Sequence, residues 1–352
     1  MGLHADNITD LANSSLSDLG RMKLVELAAD ITEYVAASNL MNKYRVKFDS
    51  GKGVQWNLLQ DGDDNARNVG LHSRDNINIK DGTFNLELPW RHSTTGCAFD
   101  VREDGMNGGA AKIFDFIKTK RYQRAISWVK LFEENFWQGP SASTDEDTPF
   151  GLFGYWLNYN ATSGFNGSNG NYGTIGGKDC DTYDKLKHYT FQYTSVSDTD
   201  AIDEIRDALV YTAFKPMVNN APIPGYTNGQ KRVIYTGWEN LKTLEKLARS
   251  QNDDLGADLD KYHGQVRIGR VPVEYAPWIE ENKATSLPFV GIDWSQFHAI
   301  FREGSWMKET PFKEVPGQHN DRVSHLDCTY NFRCLDRRKG LFVGAKSDPL
   351  AS

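Results

Sequence analysis

Cysteine is scarce in this chain of 352 residues: four in all, Cys97, Cys180, Cys328 and Cys334, far apart and without a CxxC pair. That spacing excludes a disulfide framework and leaves free thiols as the expectation. No segment supplies the ~18 consecutive apolar residues of a membrane-spanning helix. The Met1-Gly-Leu-His-Ala-Asp start has neither a basic region nor an apolar core, so neither a secretory leader nor a membrane partner is expected. An excess of positive charge is missing as well. With 40 Lys and Arg against 47 Asp and Glu the formal net charge is -7, which excludes a global basic field for nucleic acid and leaves only a local basic face.

The motifs of catalysis are also wanting. The Gly-rich tract Gly164 to Gly177 is followed by no Gly-Lys-Ser/Thr, and no helix opens on GxGxxG. Gly164, Gly167, Gly170, Gly173 and Gly176 recur every third residue, but proline is absent there, which excludes collagen and predicts a loop. Ser195 and Ser197 lie in no GxSxG elbow, and the eight histidines have no paired Ser or Cys motif. Cys328 and Cys334 with His319 and His325 invite zinc. Strand parity opposes it, because both cysteines alternate in phase with Leu326, Tyr330 and Phe332 while His325 points to the other face. Carboxylates are plentiful at Asp145-Glu-Asp147, Asp179, Asp181, Asp184 and Glu280-Glu281, enough to keep a glycan-active β-rich hydrolase as an alternative. Nothing selects a pair of acids, so no enzyme is expected, and no catalytic residue, cofactor-binding residue, cofactor or metal ligand is assigned.

What is present is an order of parts. Asp18 to Asn39 carries Leu19, Met22, Leu24, Val25, Leu27, Ala28, Ile31 and Val35 at helical spacing. The period then changes: Val46/Phe48, Val54/Trp56/Leu58, Ile77/Ile79 and Phe84/Leu86/Leu88 alternate with polar residues, which predicts strands with one apolar face. Gly51-Lys-Gly53, Asp61-Gly62-Asp-Asp64 and Asp81-Gly82 supply turns, so the segment folds as long hairpins that lack a core of their own. After the break at Gly105 to Gly109, Ile113, Phe116, Ile117, Ile126, Val129, Phe132, Phe136 and Trp137 form one stripe of a helix from Ala110 to Trp137, ~40 Å long, stopped by Gly139-Pro140. Its opposite face carries Lys112, Lys118, Lys120, Arg121, Arg124 and Lys130, expected to meet a neighbouring subunit, as are Arg333, Arg337, Arg338 and Lys339.

Beyond the glycines the chain alternates. Ser197-Asp-Thr-Asp200 precedes a helix with Ile202, Ile205, Leu209 and Val210, Val233-Ile-Tyr235 is a strand, and Thr236 with Glu239 makes a capping box for a helix holding Leu241, Leu244 and Leu247. From Val266 onward the pattern is extended and predicts one closing β-sheet.

This order, an α+β chain with a helical arm, a two-stranded excursion, a long helix, an α/β unit and returning strands, resembles the tailed-bacteriophage major capsid protein of the Hong-Kong-ninety-seven-type fold, shared with encapsulins. Local stretches are similar too: Phe150-Gly-Leu-Phe-Gly-Tyr-Trp156 ahead of Gly164-Phe-Asn-Gly167, Arg270-Val-Pro-Val-Glu-Tyr275, Trp306-Met-Lys-Glu309, and Asn331-Phe-Arg-Cys-Leu-Asp-Arg-Arg338. The resemblance implies a phage major capsid fold with an N-terminal arm over 1–42, an extended β-hairpin loop over 43–100 that lies on an adjacent subunit, a peripheral domain with the long spine helix over 101–150, an axial domain over 151–265, and strands returning to the axial and peripheral domains over 266–352. It implies a structural subunit that self-assembles into hexamers and pentamers of an icosahedral shell enclosing double-stranded DNA on its inner face. Scaffold, portal and cement proteins are further implied partners, and the implied location is the virion capsid, assembled in the host cytoplasm. An encapsulin-like compartment shell is the alternative of the same fold. Since no coiled-coil prefix precedes the arm, a scaffold is expected as a separate protein or a removed prefix. Some members cross-link a loop Lys to a neighbour's Asn; Lys52 or Lys80 with Asn331 is the pairing this would imply, no partner acid is matched, and no cross-link is expected.

Overall fold

A computed structural model describes residues 34–42, 45–49, 51–59, 68, 71, 82–102, 110–213, 231–250 and 266–350, with the side chains of 42, 110–119, 249 and 250 outside that description. Most of the expected Asp18 to Asn39 helix, the Ile77/Ile79 strand, the Asp61 to Asp64 turn and the Gly105 to Gly109 break lie outside the described residues, as do Lys80 and the side chains of Ile113, Phe116 and Ile117.

The chain forms α1 (Val35–Asn42), β1 (Arg45–Phe48), β2 (Gly53–Leu59), β3 (Thr83–Pro89), β4 (Arg91–Asp100) and α2 (Ala110–Trp137). There follow β5 (Gly164–Gly167), β6 (His188–Gln192), α3 (Asp203–Tyr211), β7 (Arg232–Thr236), α4 (Trp238–Ser250), β8 (Arg267–Ile268), β9 (Val271–Tyr275), α5 (Pro277–Lys283) and β10 (Phe289–Asp293). The last elements are β11 (Phe297–Arg302), β12 (Lys308–Glu309), β13 (Lys313–Val315), β14 (Gln318–Cys334), α6 (Arg337–Gly340) and β15 (Leu341–Ala345).

Among the described residues these strands form three sheets, one of six strands, one of seven and the two-stranded β2/β3 hairpin. In the six-stranded sheet β14 is central: β4 pairs antiparallel with Asp321 to Tyr330 on one side, β11, β12 and β13 line the other, and β1 joins parallel to β11. The seven-stranded sheet runs β5-β6-β15-β10-β7-β9-β8, with β6/β15 and β7/β9 parallel and its other pairs antiparallel. The expected single closing sheet is therefore divided: β10 and β15 complete the sheet begun by the α/β unit, whereas β11 to β14 build the other. Likewise β1 and β4 belong to the six-stranded sheet, so the two-stranded part of the excursion is β2 with β3 alone. The glycine tract is a loop except for β5, which forms an edge strand on β6.

Helix α2 spans its expected limits and ties the parts together. Its last three turns lay Trp128, Phe132, Phe136 and Trp137, none of them solvent-exposed, onto Phe301, Tyr330 and Phe332 of the six-stranded sheet and onto Tyr235 and Trp278 of the other unit. Ring centroids 5 to 6 Å apart in mostly edge-on geometry are the arrangement that aromatic quadrupoles favour. The stop falls where glycine permits it: Gly139 has φ +70.

Past the stop, the Phe150 to Trp156 stretch coils as a single π-helical turn, Leu152–Trp156, wholly buried, with Phe150 stacked on Tyr155 at 3.9 Å. Backbone contact allows no side chain at Gly151, where a Cβ would lie 2.1 Å from the Asn135 carbonyl oxygen. The capping box at Thr236 does not form. Thr236 is the last residue of β7, its hydroxyl donates to the Pro288 carbonyl, and the first N–H of α4 is instead capped across the chain by Glu280 Oε2, 2.6 Å from Trp238 N. The prediction for this architecture is that Gly151→Ala forces α2 away from the π-helical turn and costs roughly 3 kcal/mol, read as a lowered urea midpoint with an unchanged slope.

Candidate assembly surfaces

The β2/β3 hairpin has one dry face and one wet face. Val54, Trp56, Phe84, Leu86 and Leu88 are buried, while Gln55, Asn57, Asn85 and Glu87 are exposed. The sequence predicted a ladder without a core; its near half in fact packs on this chain. Glu87 N donates to Gly176 O at 3.2 Å, Phe84 meets the Tyr183 ring at 4.9 Å, and Trp90 Nε1 donates to Gly51 O at 3.0 Å. Beneath it Arg333 of β14 lies 5.5 Å from the Phe48 ring and 5.7 Å from the Trp56 ring. Burial pushes the Arg333 guanidinium down to about 10. Only at the far end does an apolar side chain stand in solvent: Leu59 is 73% exposed.

Helix α1 is held by one carboxylate. Glu133, on the buried side of α2, accepts from Ala36 N at 3.1 Å, Ala37 N at 2.9 Å and Trp137 Nε1 at 2.7 Å. It thus caps the N-terminus of α1 from another helix, satisfying donors that a helix start leaves open. Desolvation pushes the Glu133 carboxyl up to about 7, against the pull of these hydrogen bonds. Sequence reasoning missed it; the available signal was a lone acid inside an apolar stripe, one turn before Trp137.

The basic faces require correction. Arg121 and Arg124 are buried, and both pair with Glu309 on β12, Arg121 Nε at 3.1 Å and Arg124 through Nη2. Arg124 Nη1 also donates to Ser324 Oγ at 3.0 Å and reaches Cys97 Sγ at 3.4 Å. These arginines bolt the helix to its own sheet, while Lys130 on the outer face is exposed. The run after β14 is likewise internal. Arg337 is buried and donates to the carbonyls of Trp156 (2.6 Å), Leu186 (3.2 Å) and Ser168 (2.7 Å) and to Cys180 Sγ (3.3 Å). Asp336 caps α6 through Arg338 N and Lys339 N, Lys339 is buried, and Arg338 covers the Phe165 ring at 4.3 Å. Arg121, Arg124, Arg333, Arg337 and Lys339 are therefore internal and offer neither a neighbour nor a nucleic acid a cationic face.

The remaining candidates resolve into structural parts. Cys328 sits in the core with Leu326, Tyr330 and Phe332, accepting from Met307 N at 3.3 Å, and His325 faces out. Burial pushes the Cys328 thiol up to about 12. Among the described residues no three His, Cys, Asp or Glu side chains gather as a metal site. Asn331 is buried, its Nδ2 donating to Pro89 O and its Oδ1 accepting from Phe150 N, both at 2.8 Å. It fastens the hairpin to the π-helical turn and is enclosed on both sides. Asp145 closes its own loop through Ser141 N, Asp147 N and Thr148 N, and Asp179 does so through Asn169 and Asp181 N. Among the described residues, the large apolar side chains left in solvent are Leu59 and Leu71, Ile126 and Leu131 on α2, Val210 and Tyr211 at the end of α3, and Trp238 with Tyr275, an edge-on pair at 6.2 Å.

No family model and no curated protein matches this chain. Solved structures do. A chain of the cyanophage A-1(L) capsid asymmetric unit superposes with a TM-score of 0.55 at 14% identity, covering 88% of this chain and 92% of that one. The capsid of the native GTA particle gives a TM-score of 0.55 at 11% identity over 86% of this chain and 87% of the other, and that of the empty GTA particle gives 0.54 at 10% over 87% and 95%. The fold is that of phage-type major capsid subunits, an α+β chain matched along nearly its whole length.

Two expectations follow for the polar anchors. Glu133 is held above its unfolded value of 4.5, so its contribution is full below about 4.5 and is lost as pH rises through about 7, a change of roughly 3 kcal/mol. Amide exchange in Val35–Asn42, corrected for intrinsic rates, should accelerate between pH 6 and pH 8, and Glu133→Gln should flatten that dependence. Arg124→Ala leaves Glu309 with Arg121 alone and removes the donor to Ser324 Oγ, and should cost about 1–3 kcal/mol, measured by denaturant titration.

Proposed function

We propose that this chain is a major capsid protein, the subunit of an icosahedral shell of hexamers and pentamers around double-stranded DNA in a tailed bacteriophage. The observation that carries the proposal is the near end-to-end superposition on capsid subunits, joined to buried arginines that pair within the chain and to large apolar side chains that are exposed among the described residues. A subunit that finishes its packing on its neighbours has that distribution.

Within this proposal, 1–42 is the arm, and 43–100 contains the extended loop, whose reaching part is the β2/β3 hairpin beyond its buried base. Residues 101–150 carry the spine helix of a peripheral domain built on the six-stranded sheet. The seven-stranded sheet, from 151–265 with strands out of 266–352, is the axial domain, and its exposed Trp238/Tyr275 and Val210/Tyr211 pairs meet other copies within a capsomer. DNA lies against the inner face, and scaffold, portal and cement proteins are the other partners, with assembly in the host cytoplasm. The chain is a structural protein with no enzymatic role.

Purified protein should form capsomers or particles visible by negative stain, with nucleic acid inside particles taken from infected cells; a chain that stays monomeric at all concentrations and salts is the contrary result. Replacing residues 60–82 by a short turn spares Val54, Trp56, Phe84 and Leu88 and should leave the thermal midpoint within a few degrees while abolishing shells. Normal particles from that variant would remove the extended-loop assignment.

A further inference from the structure

Strand β4 is an edge. It pairs with β14 over ten consecutive residues, Arg91 opposite Tyr330 through Asp100 opposite Asp321, without a bulge, and among the described residues it has no other strand partner. Of its outer-edge backbone groups, none makes a backbone hydrogen bond to a described residue. Free edges are normally blunted by proline, lysine, a bulge or a covering segment. The sequence Arg-His-Ser-Thr-Thr-Gly-Cys-Ala-Phe-Asp has no proline and no lysine, and the ladder has no bulge.

The two faces of β4 are unlike. Arg91, Ser93 and Cys97 turn toward the spine side, where Ser93 Oγ meets Tyr330 OH and Cys97 Sγ meets Arg124. His92, Thr94, Gly96 and Ala98 are exposed on the other side. An antiparallel second copy, related by a two-fold axis normal to the sheet and centred at Gly96, keeps each face on its own side. Gly96 then faces Gly96, Thr94 faces Ala98 twice, and His92 faces Asp100 twice. The small residues let the strands meet flat, and the ends are complementary. Asp100 is anionic, held low by its hydrogen bonds from Arg102, and His92 has Nδ1 engaged by Thr329 Oγ1 at 2.9 Å, which leaves Nε2 for the carboxylate. Cys97 falls opposite Thr95, so the pairing forms no disulfide.

We propose that β4 is a self-recognition edge, at which two copies of this chain join their six-stranded sheets antiparallel through β4 and β4. The proposal rests on the self-assembly reading above and names a contact within it. In this register nine residues on each strand, His92 to Asp100, give about nine backbone hydrogen bonds, and the side-chain pairs set the register.

Charge reversal across this contact tests it. Thr94 and Ala98 are exposed and face each other's copies, so Thr94→Lys with Ala98→Lys places lysine against lysine, and Thr94→Glu with Ala98→Glu places glutamate against glutamate. Each variant should keep the wild-type circular dichroism and thermal midpoint, and each alone should lower particle yield in sedimentation roughly tenfold or more. An equimolar mixture of the two should restore it. Wild-type yield from either variant alone overturns the edge contact and leaves the shell reading standing, as does failure of the mixture to rescue. A wild-type chain that never associates overturns both.

Discussion

The packing of the last three turns of α2 on β14 and β11 is the constraint that the other parts obey. Trp128, Phe132 and Phe136 fill the space over Phe301, Tyr330 and Phe332, and Trp137 at the helix end passes the contact to Tyr235 and Trp278 of the second unit. Buried aromatics of this size each contribute on the order of 2–3 kcal/mol by area alone. Because the helix is a single rigid rod, the two sheets are set relative to it by the same few rings. The hairpin and the arm are then attached to that frame through polar groups.

Those attachments share a design. Glu133 receives the arm helix, Arg333 underlies the hairpin base, Asn331 ties Pro89 to Phe150, and Arg337 gathers the carbonyls of three separate loops. Each is a buried polar side chain with its partners far away in sequence. A buried polar group without partners is costly, so each one tolerates few alternative arrangements. Directional bonds fix angles that apolar contact would leave loose, so α1 and the hairpin are held at set angles to the frame.

The order of elements, the limits of α2 and the in-phase burial of Leu326, Cys328, Tyr330 and Phe332 were all legible in the sequence, because each is a local period read over several residues. The partners of buried charge were not. Arg121 and Arg124 share a face with lysines and look solvated until Glu309, 188 and 185 residues away, is brought to them. The same blindness made Arg333 and Arg337 look like a basic surface and Thr236 with Glu239 look like a cap. Periodicity also could not say that β10 and β15 leave the company of their sequence neighbours for the other sheet, since strand pairing is a long-range choice.

The long pairing of β4 with β14 also bears on when the subunit becomes competent to associate. His92 and Thr329 touch across 237 positions of chain, so β4 pairs with β14 only after β5 to β13 have been made. The hairpin base depends on the same late segment through Asn331 and Arg333. A nascent chain on the ribosome therefore lacks both the oriented hairpin and the paired edge, and neighbouring nascent chains on one message have little with which to bind one another. Under the proposed function, synthesis of β14 acts as a timer that withholds assembly until the hairpin base and the β4 edge have formed.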